Sequence, residues 1–283
     1  MDERVMDERV TIDTHIRSEV PLVPMVTVRR DGDNGSVAWI TLNRGDRFNP
    51  LSSAMIGALD AALGSVAADA SVRAIVLAGE GRGFCAGHDL KEMRAHASDR
   101  DWQRRLFDDC SRMMLHITEV PQPVIARVHG IATAAGCQLV SMCDLAVASD
   151  QASFALPGVN IGVFCSTPAV GVARSIGRKR SMEMLLTGQP VDAKTALAWG
   201  LVNRVVPPGE LDAAIRGYTD VILARSAATI RMGKAAFYSQ IERPIAAAYD
   251  VASETMACNM LIDDAAEGID AFLQKRDARW TGR

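Results

Sequence analysis

The chain has 283 residues, of which 48% are hydrophobic and 23% charged, and its formal net charge is −3. This length can bury a sizeable core, either in one large domain or in a domain with an appendage. The weak net charge gives no electrostatic basis for binding nucleic acid or an anionic membrane, so we predict neither partner. The longest apolar runs are too short to span a bilayer.

The termini and cysteines give a first prediction of location. Six cysteines are scattered, with no C-x-x-C pair and no clustered histidines, so we predict reduced thiols, no metal site and a cytoplasmic protein. The opening Met-Asp-Glu-Arg-Val is repeated at residues 6–10 and is acidic, unlike a signal or transit peptide. We expect residues 1–25 to form a flexible N-terminal arm.

Apolar patterning predicts the first elements. Strands are expected at residues 26–28 and 37–42, joined as a hairpin by an Asp-Gly-Asp-Asn-Gly turn. A helix follows from Ser52, because apolar residues then recur at spacings of four and three. The continuous apolar run at residues 74–78 predicts a strand buried on both faces.

The pattern continues through the middle of the chain. Residues 89–117 are polar-rich and helical in pattern, and residues 123–128 form another apolar run. A helix is expected from about Ala135, followed by a strand at residues 145–148. This recurring alternation, without a Gly/Ser linker, predicts a layered α/β core over residues 26–206.

Strand patterns disappear after the core. Four helical segments are expected at residues 211–224, 228–240, 245–261 and 264–275. We therefore predict a helical C-terminal region over residues 207–283, suited to an interface or a lid.

A G-x-G-x-x-A string at residues 81–86 follows the strand at residues 74–78. A dinucleotide-binding turn would need a short helix and then a second strand ending in an acid about twenty residues further on. Residues 89–117 offer no strand, so we interpret the string as a turn-rich loop that lets backbone approach a ligand.

Two segments, at residues 84–93 and 130–139, each resemble a loop that runs into a helix. The first N–H groups of a helix have no intrahelical acceptor, and the helix dipole adds partial positive charge there. Two such donors that converge would polarise a carbonyl group and hold an enolate-like oxyanion. As a pair, the segments predict an oxyanion site.

These strings carry a resemblance to the enoyl-CoA hydratase/isomerase (crotonase) superfamily, from about residue 26 to residue 280. The matching strings are N-R and N-P-L-S at residues 43–52, F-C-A-G-H-D-L-K-E-M at 84–93, G-C-Q-L with M-C-D at 136–144, and E-G with A-F-L-Q-K-R at 267–276. G-I-A-T-A-A-G-C-Q at 130–138 and F-C-S-T-P at 164–168 resemble one branch in particular.

The resemblance implies an α/β fold, a crotonase-like spiral of ββα units whose C-terminal helices serve trimerisation and cover the CoA site. It implies a homotrimer or a dimer of trimers, and an acyl-CoA or enoyl-CoA thioester as substrate, with no other cofactor. The oxyanion donors would be the backbone N–H groups of His88 and Ala135, which leaves the His88 imidazole as a bystander.

The resemblance also implies a CoA subsite. The adenine would lie near Ala86, Asp89 and Leu90. The CoA phosphates would meet Lys91, Lys275 of the same chain or a neighbour, and Arg47, for which a solvated surface charge is an equal alternative.

The family's hydratases carry two catalytic glutamates, and their positions here hold Gln138 and Gly158. Glutamine does not accept a proton near neutral pH, and glycine has no side chain. Each general acid–base group supplies roughly a hundred- to ten-thousand-fold in rate, so we predict weak or absent hydration of ordinary enoyl-CoA. Weak candidates for replacement are Cys165, Ser166, Asn160, His116 and His129, whereas Asp144 is expected to be structural.

Three functions stay open on the sequence. The first is an enoyl-CoA hydratase/isomerase of fatty acid metabolism, acting through the oxyanion hole, with Gln138 placing water or substrate. The second is a non-catalytic acyl-CoA-binding protein or scaffold. The third is a serine peptidase of the related Clp type, although no G-x-S-x-G elbow is present.

Overall fold

A computed structural model describes residues 23–283, so the predicted arm at residues 1–25 lies almost wholly outside the described residues. The strands are β1 (Val26–Asp31), β2 (Val37–Leu42), β3 (Ala74–Gly79), β4 (Gly83–Cys85), β5 (Val124–Val128), β6 (Ile131–Thr133), β7 (Leu145–Ser149), β8 (Ser153–Ala155), β9 (Val191–Asp192) and β10 (Arg204–Val206). The helices are α1 (Ser53–Ala67), α2 (Leu90–Ala95), α3 (Arg100–Glu119), α4 (Ala135–Met142), α5 (Ser166–Ile176), α6 (Arg178–Thr187), α7 (Ala193–Trp199), α8 (Leu211–Leu223), α9 (Ala227–Gln240), α10 (Ile245–Asn259) and α11 (Asp263–Gln274).

The strands form two sheets. The larger has the order β1-β2-β3-β5-β7-β10 and is parallel except for the β1–β2 hairpin, and the smaller has the order β4-β6-β8-β9. Each of β3, β5 and β7 in the larger sheet is followed in sequence by a strand of the smaller one, β4, β6 or β8. This repetition confirms the predicted spiral of ββα units.

Several elements were not predicted. The strands β4, β6 and β8 have three residues each, too few to show an apolar period. They form because they pair with one another in the smaller sheet. The helical segment predicted at residues 89–117 is two helices, because the Asp99 carboxylate accepts from the Trp102 N–H (2.9 Å) and starts α3 anew. The predicted C-terminal helices begin and end within two residues of α8–α11.

The continuous apolar sequence of β3 is explained by two cores. Ile75 and Leu77 pack into the main core, whereas Val76 and Ala78 point to a second core on the opposite face of the sheet. Successive strand residues alternate between faces, so a strand covered on both sides must be apolar throughout. The second core is closed by α8, so the packing of the sheet extends beyond residue 206.

Helix α9 is held to the core by a partly buried ion pair. The Lys234 Nζ donates to Asp144 Oδ2 (2.7 Å) and to the carbonyl oxygens of Ile117 (3.0 Å) and Gln122 (2.9 Å). The Tyr238 hydroxyl donates to Asp144 Oδ1 (2.8 Å). Burial lowers the pKa of Lys234, and the nearby Asp144 opposes that shift. The Asp144 carboxylate therefore has a structural role, as predicted, because both of its oxygens accept hydrogen bonds.

The end of the chain is tied back by a second carboxylate. Asp264, 1% exposed, accepts from the Ser226 hydroxyl (2.6 Å), from Thr281 and from the Gly282 N–H (3.0 Å). Although burial raises the pKa of Asp264, these hydrogen bonds outweigh it and lower the pKa. Residues 263–283 are thereby fixed against the start of α9.

Helices α10 and α11 leave large apolar side chains in solvent, including Ile245, Tyr249, Phe272 and Leu273, which are 69–83% exposed. Scattered apolar residues are normal on a surface, but a contiguous set indicates a contact with another molecule. Within residues 23–283, no helix has both the length and the apolarity that a membrane crossing requires.

We expect Lys234→Met to destabilise the protein by about 1–3 kcal/mol, because it leaves the partly buried Asp144 carboxylate without its cation. The exposed Lys179→Met is the matched control and should change the free energy of unfolding by less than about 0.5 kcal/mol. Urea unfolding of the three proteins measures this difference. Equal stability of the two variants would contradict a role for Lys234 in holding α9.

Candidate active site

A cavity of about 760 Å³ lies between α2, α3 and the segment that precedes α5. Its lining comes from residues 86–93, from one face of α3, from Ala134 at the start of α4 and from residues 157–168. The volume lies in the range of small-molecule sites, and most of the lining is apolar with a few polar groups. Both predicted donor segments contribute to it.

The loop before α2 leaves one N–H unused. Leu51 bridges this loop by donating its N–H to Gly87 O (2.8 Å) and accepting from the Asp89 N–H (3.3 Å). His88, the residue between these two partners, is paired with Leu51 in this parallel bridge but exchanges no hydrogen bond with it, so its N–H points away from Leu51. Within residues 23–283 the His88 N–H has no hydrogen-bond acceptor.

The second donor is at the start of α4. Ala135 is the first residue of the helix, so its N–H has no intrahelical acceptor, and the described residues provide no other. The preceding Ala134 has φ 50° and ψ −120°, a conformation that costs an L-residue about 1–3 kcal/mol. Its N–H donates to Ala155 O (2.9 Å), which holds the strained peptide in place.

Gly87 brings these two segments together. A Cβ atom at Gly87 would lie 2.9 Å from Ala134 Cβ, 3.0 Å from Thr133 O and 3.2 Å from the Ala135 nitrogen. The φ of Gly87 is +88°, which a residue with a side chain rarely adopts. Two unpaired N–H groups, from His88 and Ala135, thus belong to segments in direct contact, as an oxyanion site requires.

The His88 imidazole is uncharged at neutral pH. Burial lowers the pKa of His88 to about 4, with Glu92 as a weaker opposing influence. The ring packs edge-on against Phe107 with 5.3 Å between centroids, and its Nε2 is buried without a partner in the described part of the chain. A neutral ring packed in this way is consistent with the prediction that only its backbone matters.

Gln138 lies behind the cavity wall. It follows Ala135 by three residues and therefore lies on the same face of α4. The side chain is 4% exposed, and its Oε1 has no hydrogen-bond partner among residues 23–283. It is not part of the cavity lining. An unpaired buried amide oxygen costs roughly 1–3 kcal/mol, which marks Gln138 as a position with an unmet polar contact.

Gly158 lines the cavity, but no side chain fits there. A Cβ atom would lie 2.3 Å from Val163 O and 2.8 Å from Cys165 Sγ. The loop is closed by the Val163 N–H, which donates to Gly158 O (2.9 Å). Burial raises the pKa of the Cys165 thiol, so it stays protonated at neutral pH. The space beside residue 158 therefore holds a carbonyl group and a thiol.

The predicted CoA-binding residues are dispersed. Ala86 and Leu90 line the cavity, whereas the Asp89 carboxylate caps α2 by accepting from the N–H groups of Lys91 (2.9 Å) and Glu92 (3.3 Å). The side chain of Lys91 is exposed on α2, next to Leu90. The structure thus gives Asp89 a local structural role.

The remaining two predicted phosphate contacts lie away from the cavity. Arg47 is exposed, with its Nε 3.7 Å from Asp46 Oδ2. Lys275 follows α11, and no residue after Pro168 contributes to the cavity lining within residues 23–283. The described C-terminal helices of this chain therefore do not line this cavity.

The residues predicted as weak candidates for proton transfer fall into two groups, inside and outside the cavity. Cys165, Ser166 and Asn160 line the cavity. His116 Nδ1 instead contacts Asp60 Oδ1 (2.7 Å), and His129 Nε2 contacts Gly81 O (2.9 Å). Both histidines thus have local partners outside the cavity.

The sequence led us to expect pocket walls from residues 94–109 and the C-terminal helices, but it did not identify which side chains of α3 face the cavity. Arg104, Phe107, Asp108 and Ser111 line the cavity from one helix face. The spacing of these four residues places them on one face of the helix, but spacing alone does not show which face of a polar helix meets a cavity. Asp108 is the one carboxylate in the lining drawn from residues 23–283, and within these residues no cluster of His, Cys, Asp or Glu could hold a metal.

Comparison with known proteins shows what the chain resembles. The family model described as enoyl-CoA hydratase/isomerase matches residues 32–283. The mouse protein "Enoyl-CoA hydratase domain-containing protein 3, mitochondrial" is 43% identical over 91% of this chain and 85% of its own length. The human protein of that name is 44% identical, covering 86% of this chain and 80% of its own.

Solved structures agree. An enoyl-CoA hydratase from Mycobacterium smegmatis is 54% identical, with a TM-score of 0.89 over 91% of this chain and 99% of its own. The structure of human enoyl-CoA hydratase domain-containing protein 3 is 42% identical, with a TM-score of 0.86. The match covers 90% of this chain and 100% of the human chain. These findings confirm the resemblance inferred from the sequence, including its branch.

The predicted cytoplasmic location is wrong by the same comparison. The mouse, rat and human relatives are all named as mitochondrial proteins. The prediction rested on unpaired cysteines and on an N-terminus without a recognisable targeting pattern. Reduced thiols are not specific to the cytoplasm, so the cysteines could not decide the compartment.

We expect Gly158→Ala to destabilise the fold, because its Cβ atom would meet the Val163 carbonyl at 2.3 Å and force the loop to move. Overpacking of this kind costs about 1–3 kcal/mol. Gly57→Ala in α1 is the matched control, since no atom lies within 4 Å of its added Cβ. That change should stabilise the helix by about 0.5–1 kcal/mol. Thermal unfolding that moved in the same direction for both would refute the closed loop.

We expect acid sensitivity to arise partly from His88, since its pKa is about 4 in the folded state against 6.5 for a freely solvated histidine. As the pH falls from 6.5 to 4, the unfolded chain binds a proton that the folded chain refuses, so stability decreases, by up to about 3 kcal/mol. His88→Leu should flatten this part of the pH profile of urea unfolding. Burial also lowers the pKa of His129, so His129→Leu should flatten the profile as well. An unchanged slope in His88→Leu would exclude His88 as an origin of the acid sensitivity.

Proposed function

The chain belongs to the enoyl-CoA hydratase/isomerase family, and on that premise we propose that its cavity binds the acyl part of a CoA thioester. The thioester oxygen would accept from the N–H groups of His88 and Ala135. The observation that carries the proposal is the contact of Gly87 with Ala134 and Ala135, which keeps these two unpaired donors together.

Such a site favours charge on the thioester oxygen. Two donors aimed at one oxygen polarise the carbonyl group and stabilise an enolate, and each donor contributes about 2.7–4 kcal/mol in comparable sites. The strain at Ala134 supports this proposal, because strained backbone persists where surrounding structure enforces it. A site that only bound an acyl chain would have little need for it.

Proton transfer is the weaker half of the proposed reaction. Gln138 has an amide where the family's hydratases have an acid, and the space at Gly158 is closed to any side chain. The sequence predicted that Gln138 places water or substrate, but its side chain is buried and does not line the described cavity. We therefore propose that hydration of ordinary enoyl-CoA is slow. The family assignment stands apart from this finer proposal.

The alternative is a non-catalytic acyl-CoA-binding protein or scaffold. Its specific support is the closed loop at residues 158–163, since a catalytic carboxylate could not be restored there without moving the backbone. The oxyanion donors would then act as a clamp on the thioester. Of these two functions, the retained pair of oxyanion donors favours an enzyme over a protein that only binds the thioester.

We further propose self-association as a homotrimer or a dimer of trimers. The exposed apolar side chains of α10 and α11 would be covered in such an assembly. A neighbour could also bring its Lys275 to the CoA phosphates, beside Lys91 and Arg47 of this chain. Light scattering of the purified protein gives the mass that tests this state.

The test of function combines turnover and binding. We expect calorimetry to show binding of acetyl-CoA and acetoacetyl-CoA, while crotonyl-CoA hydration stays far below that of an efficient hydratase. Gln138→Glu tests whether residue 138 reaches the reacting atoms. A carboxyl group that exchanges a proton with the substrate should raise hydration on the order of a hundred-fold, whereas one kept outside the cavity lining should leave hydration unchanged. The exposed Gln189→Glu is the control and should have no effect.

Each outcome has a meaning. Efficient hydration by the unchanged protein would disprove the role given to the missing acids, and turnover that survives Gln138→Ala would place the working group elsewhere. Binding without turnover in either form would favour the acyl-CoA binder. Labelling by a fluorophosphonate probe would instead support the serine peptidase.

A further inference from the structure

A charged pair lies on the solvent-exposed part of the α3 wall, where the side chains of Arg104 and Asp108 are 68% and 52% exposed. Arg104 and Asp108 are one helical turn apart, and the Arg104 Nε donates to both carboxylate oxygens of Asp108, each at 2.8 Å. Both residues line the cavity, together with Phe107, which packs on His88. The pair is thus attached to the same wall as one of the oxyanion donors.

The contact with Asp108 uses only one of the three guanidinium nitrogens. Among residues 23–283, neither terminal nitrogen of Arg104 donates to an acceptor. A guanidinium group is planar, so fixing its Nε restricts the plane and presents the two terminal nitrogens as a free edge. That edge matches the two oxygens of a carboxylate or the oxygens of a phosphate.

A purely apolar acyl chain would gain nothing from this free edge. The neighbouring lining residues Leu90, Met93, Ile161 and Phe164 already supply apolar contacts. An anionic group that entered the cavity would meet Arg104 as its one positively charged lining side chain from the described residues, because His88 is neutral. The positive charge of Arg104 therefore favours ligands whose acyl group carries an anion over ligands whose acyl group is apolar.

We propose that Arg104 binds an anionic oxygen group of the ligand, and specifically a carboxylate on the acyl chain. The ligands would then be CoA thioesters of dicarboxylic acids. This inference rests on the proposed function, since it places a CoA thioester in the cavity. Asp108 is a positioning residue, because it orients Arg104 and does not itself contact the acyl carboxylate.

A phosphate of CoA offers the same chemistry, and the location of Arg104 favours the acyl group. The candidates for phosphate contact, Arg47 and Lys91, do not line the cavity. Arg104 lines the same cavity as Gly158 and Cys165, which the family resemblance places near the reacting carbon.

The experiment compares two thioesters with five acyl carbons, glutaryl-CoA and pentanoyl-CoA, and also free CoA, by calorimetry on the full chain. We expect glutaryl-CoA to bind roughly 10- to 100-fold more tightly than pentanoyl-CoA, as for a charged hydrogen-bonded pair. Arg104→Gln should abolish this preference, and Arg104→Lys should keep part of it. Arg105→Gln, at the adjacent exposed position outside the cavity, should change nothing.

Asp108→Asn tests the positioning role. It should reduce the glutaryl preference several-fold without changing the affinity for pentanoyl-CoA. Asp109→Asn is matched to it, because Asp109 pairs with Arg112 (2.6 Å) on the same helix but outside the cavity. Equal effects of the two asparagine variants would remove Asp108 from the proposal.

Three results separate the remaining explanations. If Arg104→Gln weakens free CoA and both thioesters equally, Arg104 binds a CoA phosphate and the acyl assignment is wrong. If the unchanged protein binds both thioesters equally well, the carboxylate site is refuted while the proposed function survives. If no thioester binds, the proposed function itself fails.

Discussion

The close approach of Gly87 to Ala134 and Ala135 is the constraint on which the site depends. A side chain at Gly87 would collide with the start of α4, so the two segments meet only because that residue has none. The cost is local strain, visible in the φ of +88° at Gly87 and of 50° at Ala134. The surrounding pairing, with Leu51 on one side and Ala155 on the other, keeps both peptides in these conformations.

The same crowding that creates the donor pair also limits the proton chemistry. Residues 158–163 fold back on themselves, and a carbonyl group and a thiol occupy the space beside Gly158. Gln138 is enclosed behind the wall, and its oxygen has no partner among the described residues. In the function we propose, the site stabilises negative charge more effectively than it moves protons. Its selectivity must then come from what the cavity wall contacts, and α3 contributes the charged part of that wall.

The C-terminal helices are secured by buried charge and yet remain open to partners. Asp144 and Asp264 have every oxygen engaged, by Lys234 and Tyr238 in one case and by the chain end in the other. These contacts fix α9 and α11, whereas the outer faces of α10 and α11 stay apolar and exposed. No residue of the described C-terminal region lines the cavity.

The sequence by itself determined the long elements, the family and the two donor segments. Strong apolar periods, as in α1 and β3, and glycine-rich strings such as residues 84–93 are local, so they can be recognised without a fold. Tertiary structure alone decided the three-residue strands, the face that α3 turns to the cavity and the closure of the loop at Gly158. Each of these depends on atoms distant in sequence: β4 forms because β6 lies beside it, and Arg104 belongs to the site because Phe107 meets His88. The sequence identifies candidate site residues, whereas the packing of distant segments determines which of them share a cavity.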